Sequence, residues 1–299
     1  MRSLVVSSYA KLNLYLKVVG RRRDGYHNLV TLFHRISLKD TLHLERKSEG
    51  FSLRCSSPAL SSGEDNIITR AYRLLKRRYP RLGGVSVSLS KKIPLGAGLG
   101  GGSSNAAAFL LGMKKLYRLR LSLQELLKMG RTLGADVPFF ILNCRQASAE
   151  GIGEKLLRRP IRRPLWFVLI LSAKGLATRE VYGRLLRRRP QPSLTKIRHA
   201  VKLICSFLEG SGKSSLGLWL CNDLEQPAFC LRPSLRKLLD RFHKLGVPTA
   251  RMSGSGPTLF ALLSNRQDAI RLARQLNGDG VGRSGRARTA YRVVVCHSV

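Results

Sequence analysis

From Leu4 to Val19 the chain alternates in places: Leu12, Leu14 and Leu16 fall on one face, and Lys11, Asn13, Tyr15 and Lys17 on the other. That period of two predicts a strand, or two strands joined at a kink. GRRRDGYHN (Gly20 to Asn28) reads as a turn, with Asp24-Gly25 as its hairpin signal. TLFHRISL (31–38) and TLHLER (41–46) read as two further strands. The period then changes. Ile67, Ile68, Ala71, Leu74 and Leu75 keep helical spacing within Ser62–Tyr79, which predicts a helix capped by Asp65. VSVSLS (Val85 to Ser90) alternates again and reads as a strand. A helix to about Leu119 follows, then a second from Ser122 to Leu133, opened by an S-x-x-E capping box of Ser122 and Glu125.

The second half starts with a turn-rich stretch, Ala147 to Leu157, and a domain boundary is expected directly after it. LWFVLIL (165–171) reads as the first strand beyond it, and Leu194–Gly210 and Asp223–Gly246 as helical regions. MSGSGPTLFALL (Met252 to Leu263) reads as a glycine loop entering a strand, Asn277–Arg288 as a loop, and AYRVVVCHS (290–298) as a last strand. The expected architecture is α+β in two domains, 1–157 and 158–299.

Composition narrows the function classes. With 299 residues and 43% hydrophobic content, one large or two modest cores are affordable. The net charge of +37, from 54 basic and 17 acidic residues, raises a nucleic-acid or membrane-surface partner. The arginines, however, are scattered in short clusters: Arg21–Arg23, Arg158–Arg159, Arg162–Arg163 and Arg187–Arg189. Aromatics are only 7% and do not interleave with them, so no stacking platform is read and a nucleic-acid role is not expected. The six cysteines form no C-x-x-C, so neither a zinc ribbon nor a redox pair is indicated, and reduced cytosolic thiols are the default. LWFVLILSA is too short for a bilayer, which takes about 20 residues, and Lys11 interrupts the apolar start, making it a poor signal peptide.

The densest chemistry lies in KKIPLGAGLGGGSSNAAA (Lys91 to Ala108), which holds five glycines between Gly96 and Gly102, then Ser103 and Ser104. Strand, glycine loop and helix follow in that order. Glycines let backbone N–H groups turn toward a ligand, and the first N–H groups of a helix lack internal partners at its positive end. Such a turn suits phosphate; a hinge is the plainer alternative. No lysine follows the glycines, so this is not a P-loop. Gly96, Gly98 and Gly101 fit G-x-G-x-x-G, but the acidic residue a dinucleotide fold requires would be Glu125, inside a helical pattern.

Pro94, Leu95, Gly96, Ala97, Gly98, Leu99, Gly100, Gly101, Gly102, Ser103 and Ser104 together resemble a third type. This is the phosphate loop of the galactokinase, homoserine kinase, mevalonate kinase and phosphomevalonate kinase superfamily. Within it the chain is most similar to the 4-diphosphocytidyl-2-C-methyl-D-erythritol kinases. Five more segments match in order: Ala10–Asn13, Asp24–His27, Gly134–Phe139, Asn222–Glu225 and Ser253–Pro257.

The resemblance implies ATP-dependent phosphorylation of the 2-hydroxyl of 4-diphosphocytidyl-2-C-methyl-D-erythritol, in a cleft between two domains, with Mg²⁺ accompanying ATP. It implies Asp136 as the base, with Lys11 orienting it and stabilising charge. Read alone, Asp136 is a helix N-cap or an Asx turn, and Lys11 an exposed strand lysine. The resemblance places Asn66 near the nucleotide, although a capping role fits it equally. It assigns substrate contacts to Asn13, Tyr26, His27, Thr178 and Tyr182; the last four otherwise read as a half-buried tyrosine, a surface histidine, a helix cap and a core aromatic. It puts Gly254, Ser255 and Gly256 near the transferred phosphate. Asn222–Glu225 is expected to cap and pack. Metal ligands stay unassigned, with Ser104 as one candidate. A cytoplasmic monomer or homodimer acting on a small molecule is expected. A related kinase on another small alcohol, and a basic nucleic-acid-binding protein, are the alternatives.

Overall fold

The computed structural model describes residues 2–60, 63–185, 192–210, 216–278 and 291–299. The first half runs β1 (Ser3–Arg21), β2 (His27–Lys47), β3 (Phe51–Cys55), α1 (Ile67–Arg78), β4 (Gly84–Ser90), α2 (Gly101–Leu116), α3 (Leu123–Leu133), α4 (Val137–Ile141), β5 (Gln146–Gly151) and β6 (Lys155–Arg158). The second half runs β7 (Trp166–Ser172), α5 (Thr178–Gly183), α6 (Leu194–Leu208), β8 (Cys221–Asn222), α7 (Glu225–Leu231), α8 (Ser234–Lys244), β9 (Arg251–Met252), β10 (Leu259–Leu263), α9 (Arg266–Gly278) and β11 (Tyr291–His297).

These form two compact units. One comprises 1–10, 38–95 and 100–144; the other comprises 11–37, 96–99 and 145–299. In the first unit, the end of β2 pairs antiparallel with β4, with Leu42 opposite Leu89 and Leu44 opposite Val87. β3 joins β4 in parallel. The alternation read from VSVSLS is real: Val85, Val87 and Leu89 are buried, while Ser88 and Ser90 face out. α2 lies so close to the strands that a Cβ at Gly112 would overlap Leu44 Cδ1 at 2.5 Å. α4 packs on α2 and α3, and α1 on α2.

In the second unit, the start of β2 pairs antiparallel with β5, which turns back into β6. A second sheet runs β11-β7-β10-β9, antiparallel throughout. Val168 and Ile170 of β7, Leu259 and Ala261 of β10, Leu239 and Phe242 of α8, and Leu272 of α9 share one core. Burying each of the larger side chains, valine upward, is worth about 1.5–3 kcal/mol.

Several expectations change. 27–47 is one continuous strand rather than two. α1 begins at Ile67, and its cap is Asn66, whose side chain accepts from Ile68 N at 2.9 Å, rather than Asp65. α2 stops at Leu116, short of Leu119. The turn-rich reading of 147–157 missed a hairpin; its alternation was masked by alanines, and Gly151 and Gly153 form the turn, both at positive φ. The region 223–246 divides into α7 and α8 at Pro233, whose ring cannot continue a helix. The capping box of Ser122 and Glu125 is present as read. The loop expected at Asn277–Arg288 falls largely outside the described residues, as does the cluster Arg187–Arg189.

Candidate functional site

The glycine loop is built from alternating backbone signs: Gly96, Gly98 and Gly100 have φ of 60°, 73° and 67°. Ala97, which stands among them, does not share their positive φ. Gly98 is the position that admits no side chain. A Cβ there would lie 2.2 Å from Ser253 O, in a conformation L residues rarely adopt.

The part of the loop in the second unit is fixed by main-chain bonds. Leu176 N donates to Gly96 O at 3.1 Å, and Lys11 N donates to Leu99 O at 3.0 Å. Lys11 is buried on β1. Its Nζ donates to Asn13 Oδ1 at 2.5 Å and to Gly98 O at 3.1 Å. Asn13 follows Lys11 by two residues, so the strand's period puts both side chains on one face. Asn13 is itself held: its Nδ2 donates to Thr31 Oγ1 at 2.8 Å, and its backbone N donates to Ser253 Oγ at 3.2 Å. Ser253 Oγ in turn donates to Gly98 O at 3.1 Å.

The Met252–Pro257 turn closes on the same group. A Cβ at Gly254 would sit 3.1 Å from Asn13 Oδ1 and 3.3 Å from Lys11 Nζ. Asn222 shapes this turn, donating from Nδ2 to Met252 O at 2.7 Å and to Gly254 O at 2.8 Å. Glu225 accepts from Met252 N at 2.8 Å, and burial holds its carboxyl above the ordinary range. The Asn222–Glu225 segment therefore does more than cap a helix: it fixes the backbone beside Lys11. Thr178 Oγ1 and Ser255 Oγ are 2.9 Å apart, which ties α5 to the third glycine motif.

Tyr26 and His27 follow a turn in which Tyr26 N donates to Asp24 Oδ1 at 3.1 Å. Here the reading from residue types is reversed. Tyr26 is 61% exposed, and His27 is half-buried, its ring 5.2 Å from that of Tyr182 and tilted by 32°. The structure thus brings His27 and Tyr182 together as an aromatic pair.

In the first unit, α2 starts at Gly101 with Gly100 as an N-cap that offers no side-chain acceptor, so its first N–H groups keep their capacity for an outside anion. Ser103 lies in that first turn. Gly134 lies against it, with a built Cβ 3.7 Å from Ser103 Oγ. Asp136, two residues on, occupies the N-cap position of α4, yet its side chain makes no capping bond there. The capping alternative is therefore not what its half-buried carboxylate does. Ser104 Oγ accepts from Ser8 Oγ at 2.8 Å. Asn66 lies in this unit as the cap of α1.

Within the first unit, the uncapped amides at the start of α2 suit an anion such as a nucleotide phosphate. Among the described residues no group of three or more His, Cys, Asp or Glu side chains gathers as a metal cage. No described helix is long and apolar enough to cross a membrane.

The pattern of the GHMP kinases N terminal domain matches residues 66–143, and that of the GHMP kinases C terminal domain matches 204–282. The 4-diphosphocytidyl-2-C-methyl-D-erythritol kinase of Syntrophus aciditrophicus (strain SB) is 40% identical over 89% of this chain and 92% of its own length. The chain belongs to the 4-diphosphocytidyl-2-C-methyl-D-erythritol kinases, a branch of the GHMP kinases. It is accordingly a phosphotransferase. The enzyme of the same name from Polynucleobacter necessarius is also 40% identical, over 95% of this chain and 91% of its own. A crystal structure of 4-(cytidine 5'-diphospho)-2C-methyl-D-erythritol kinase superposes with a TM-score of 0.80 at 35% identity, covering 99% of both chains. Homoserine kinase from Cytophaga hutchinsonii shares the fold at 16% identity, with a TM-score of 0.75 over 100% of this chain and 95% of its own.

Sequence reasoning placed Ser253 and Asn222 in matching segments but did not find what they hold. Their partners are distant in sequence; Asn13 and Ser253 are 240 residues apart. Nothing local marks such residues beyond a polar side chain in an apolar stretch.

Proposed function

We propose that the protein transfers the γ-phosphoryl group of ATP to the 2-hydroxyl of 4-diphosphocytidyl-2-C-methyl-D-erythritol, in the non-mevalonate route to isoprenoid precursors. The observation that carries this reading is the setting of Lys11: a buried ammonium held at 2.5 Å by Asn13 and 3.1 Å by Gly98 O, against the glycine loop and the third glycine motif. Phosphoryl transfer needs little covalent chemistry from the protein; it needs positioning and charge stabilisation. In this reading the loop from Pro94 to Gly102 and the start of α2 hold the ATP phosphates through backbone N–H groups, with Asn66 near the nucleotide. Lys11 stabilises charge on the reacting oxygens, and Asp136 takes the hydroxyl proton. Mg²⁺ bound with ATP would neutralise phosphate charge, with Ser104 Oγ as one candidate ligand from the protein.

His27 and Tyr182 supply a ring pair suited to the cytosine, with Tyr26 and Thr178 beside them. A flat, polar-edged base is recognised by stacking and edge hydrogen bonds. That pair separates this substrate from homoserine or mevalonate, which carry no base. The test is ADP release by the purified protein with ATP-Mg²⁺ and each of three alcohols. Turnover confined to the cytidyl substrate is expected. Turnover on homoserine or mevalonate in its place would overturn the substrate assignment, and turnover on none would overturn the kinase reading.

A further inference from the structure

Asp40 is fully buried on β2 and takes no part in the reaction as derived above. Its carboxylate gathers four donors. Oδ1 accepts from Lys92 N at 2.7 Å and Ile93 N at 2.8 Å, the chain entering the glycine loop. Oδ2 accepts from the Lys91 ammonium and, at 2.9 Å, from Asn105 Nδ2, on the second turn of the helix leaving the loop. Asn105 Nδ2 also donates to Ser8 Oγ at 2.8 Å, and Ser8 Oγ donates to Ser104 Oγ at 2.8 Å. One carboxylate thus joins both ends of the loop and, through two further side chains, sets the hydroxyl of Ser104. Contact at the helix start is close: a Cβ at Gly101 would lie 2.9 Å from Ile93 Cγ2 and 3.0 Å from Lys91 Nζ.

We propose that Asp40 is a positioning residue for nucleotide binding: it clamps Lys91–Ile93 to α2, so that the helix-start amides and the Ser104 hydroxyl are aimed before ATP arrives. The proposal rests on the reading of the loop as the ATP-phosphate site. Such preorganisation lowers the ordering cost of binding, so its loss weakens ATP specifically. The acceptor geometry also defines a selective lesion. Asp40→Asn leaves one oxygen for Lys92 N and Ile93 N but turns an N–H₂ toward Asn105 Nδ2, donor against donor. The entering strand stays tied while the link to Asn105, Ser8 and Ser104 is cut.

The experiment compares wild type, Asp40→Asn and the charge-balanced pair Asp40→Asn with Lys91→Met. The double variant removes both buried charges together and keeps the test informative if the single variant folds poorly. ATP affinity is measured by calorimetry, with KM for ATP and for the alcohol measured separately. The expected result is ATP affinity weakened tenfold or more in the folded variants, KM for ATP rising in parallel, and KM for the alcohol within about twofold. ATP affinity within twofold of wild type, with only a lowered melting temperature, would overturn the positioning role and leave the nucleotide reading standing. A wild-type protein that binds no ATP would overturn that reading and the positioning role with it.

Discussion

Two buried lysines flank the glycine loop's chain, one in each compact unit, and they are held differently. Lys91 is neutralised where it stands, by the carboxylate of Asp40, with side-chain exposures of 4% and 0%. Lys11 is oriented, within the second unit, by the amide oxygen of Asn13 and the carbonyl of Gly98. An internal ion pair serves the scaffold. The Lys11 ammonium is instead held against the glycine loop itself, through Gly98 O. Burial alone does not distinguish the two, since both lysines are nearly covered; their place does, Lys91 on the chain entering the loop and Lys11 against Gly98 within it.

The contrast can be broken in both directions. Lys91→Met leaves the Asp40 charge buried without its counter-ion, and removing one partner of a buried pair typically costs about 3–5 kcal/mol. Chemical denaturation should register that loss, and a stability within about 1 kcal/mol of wild type would deny Lys91 its scaffold role. Lys11→Met should do the reverse. The fold persists, while kcat falls about 100- to 1,000-fold, the usual effect of removing one group that stabilises transition-state charge. An unchanged kcat with a large fall in melting temperature would make Lys11 the structural lysine instead.

A smaller effect concerns His34, far from either lysine in function. It is fully buried on β2, its ring nitrogens 2.9 Å from Gln146 Oε1 and from Ser298 Oγ. Burial depresses its pKa to about 4, with Arg145 and Arg35 adding to the fall and the bond to Gln146 opposing it. The folded state therefore favours the neutral ring. Its contribution is complete above the unfolded pKa of about 6.5 and is lost as pH falls from there toward about 4. At pH 5 this amounts to roughly 2 kcal/mol. Wild type should lose that much more stability than His34→Gln between pH 7 and pH 5; parallel losses would remove His34 from the account.

Much of the fold was legible because its periods are clean. β4 alternates valine and leucine with serine, and Ser122 with Glu125 announces the start of α3. The short hairpin of β5 and β6 was not legible, because Ala147 and Ala149 bury small side chains that carry little hydrophobic signal. The break between α7 and α8 is marked by Pro233, which the helical reading of 223–246 passed over. For the candidate site, the glycine loop showed itself through glycine spacing and helix-start physics. Lys11, Asn13 and Asp136 came from the family resemblance, since a lone strand lysine or pre-proline aspartate has several plain uses. Asp40 could not be read, and Asn222 only as a capping and packing residue, because the groups they bond are brought together only in the folded chain.

The central claim is that Asp136 acts as the base in phosphoryl transfer to the cytidyl alcohol. The most direct measurement is substrate-dependent ADP release by wild type beside Asp136→Asn, with ATP binding measured on both proteins. The account predicts retained ATP binding and a kcat about 100- to 10,000-fold lower in the variant, the range expected for loss of a general base. A variant that binds ATP and turns over within a few-fold of wild type would contradict it.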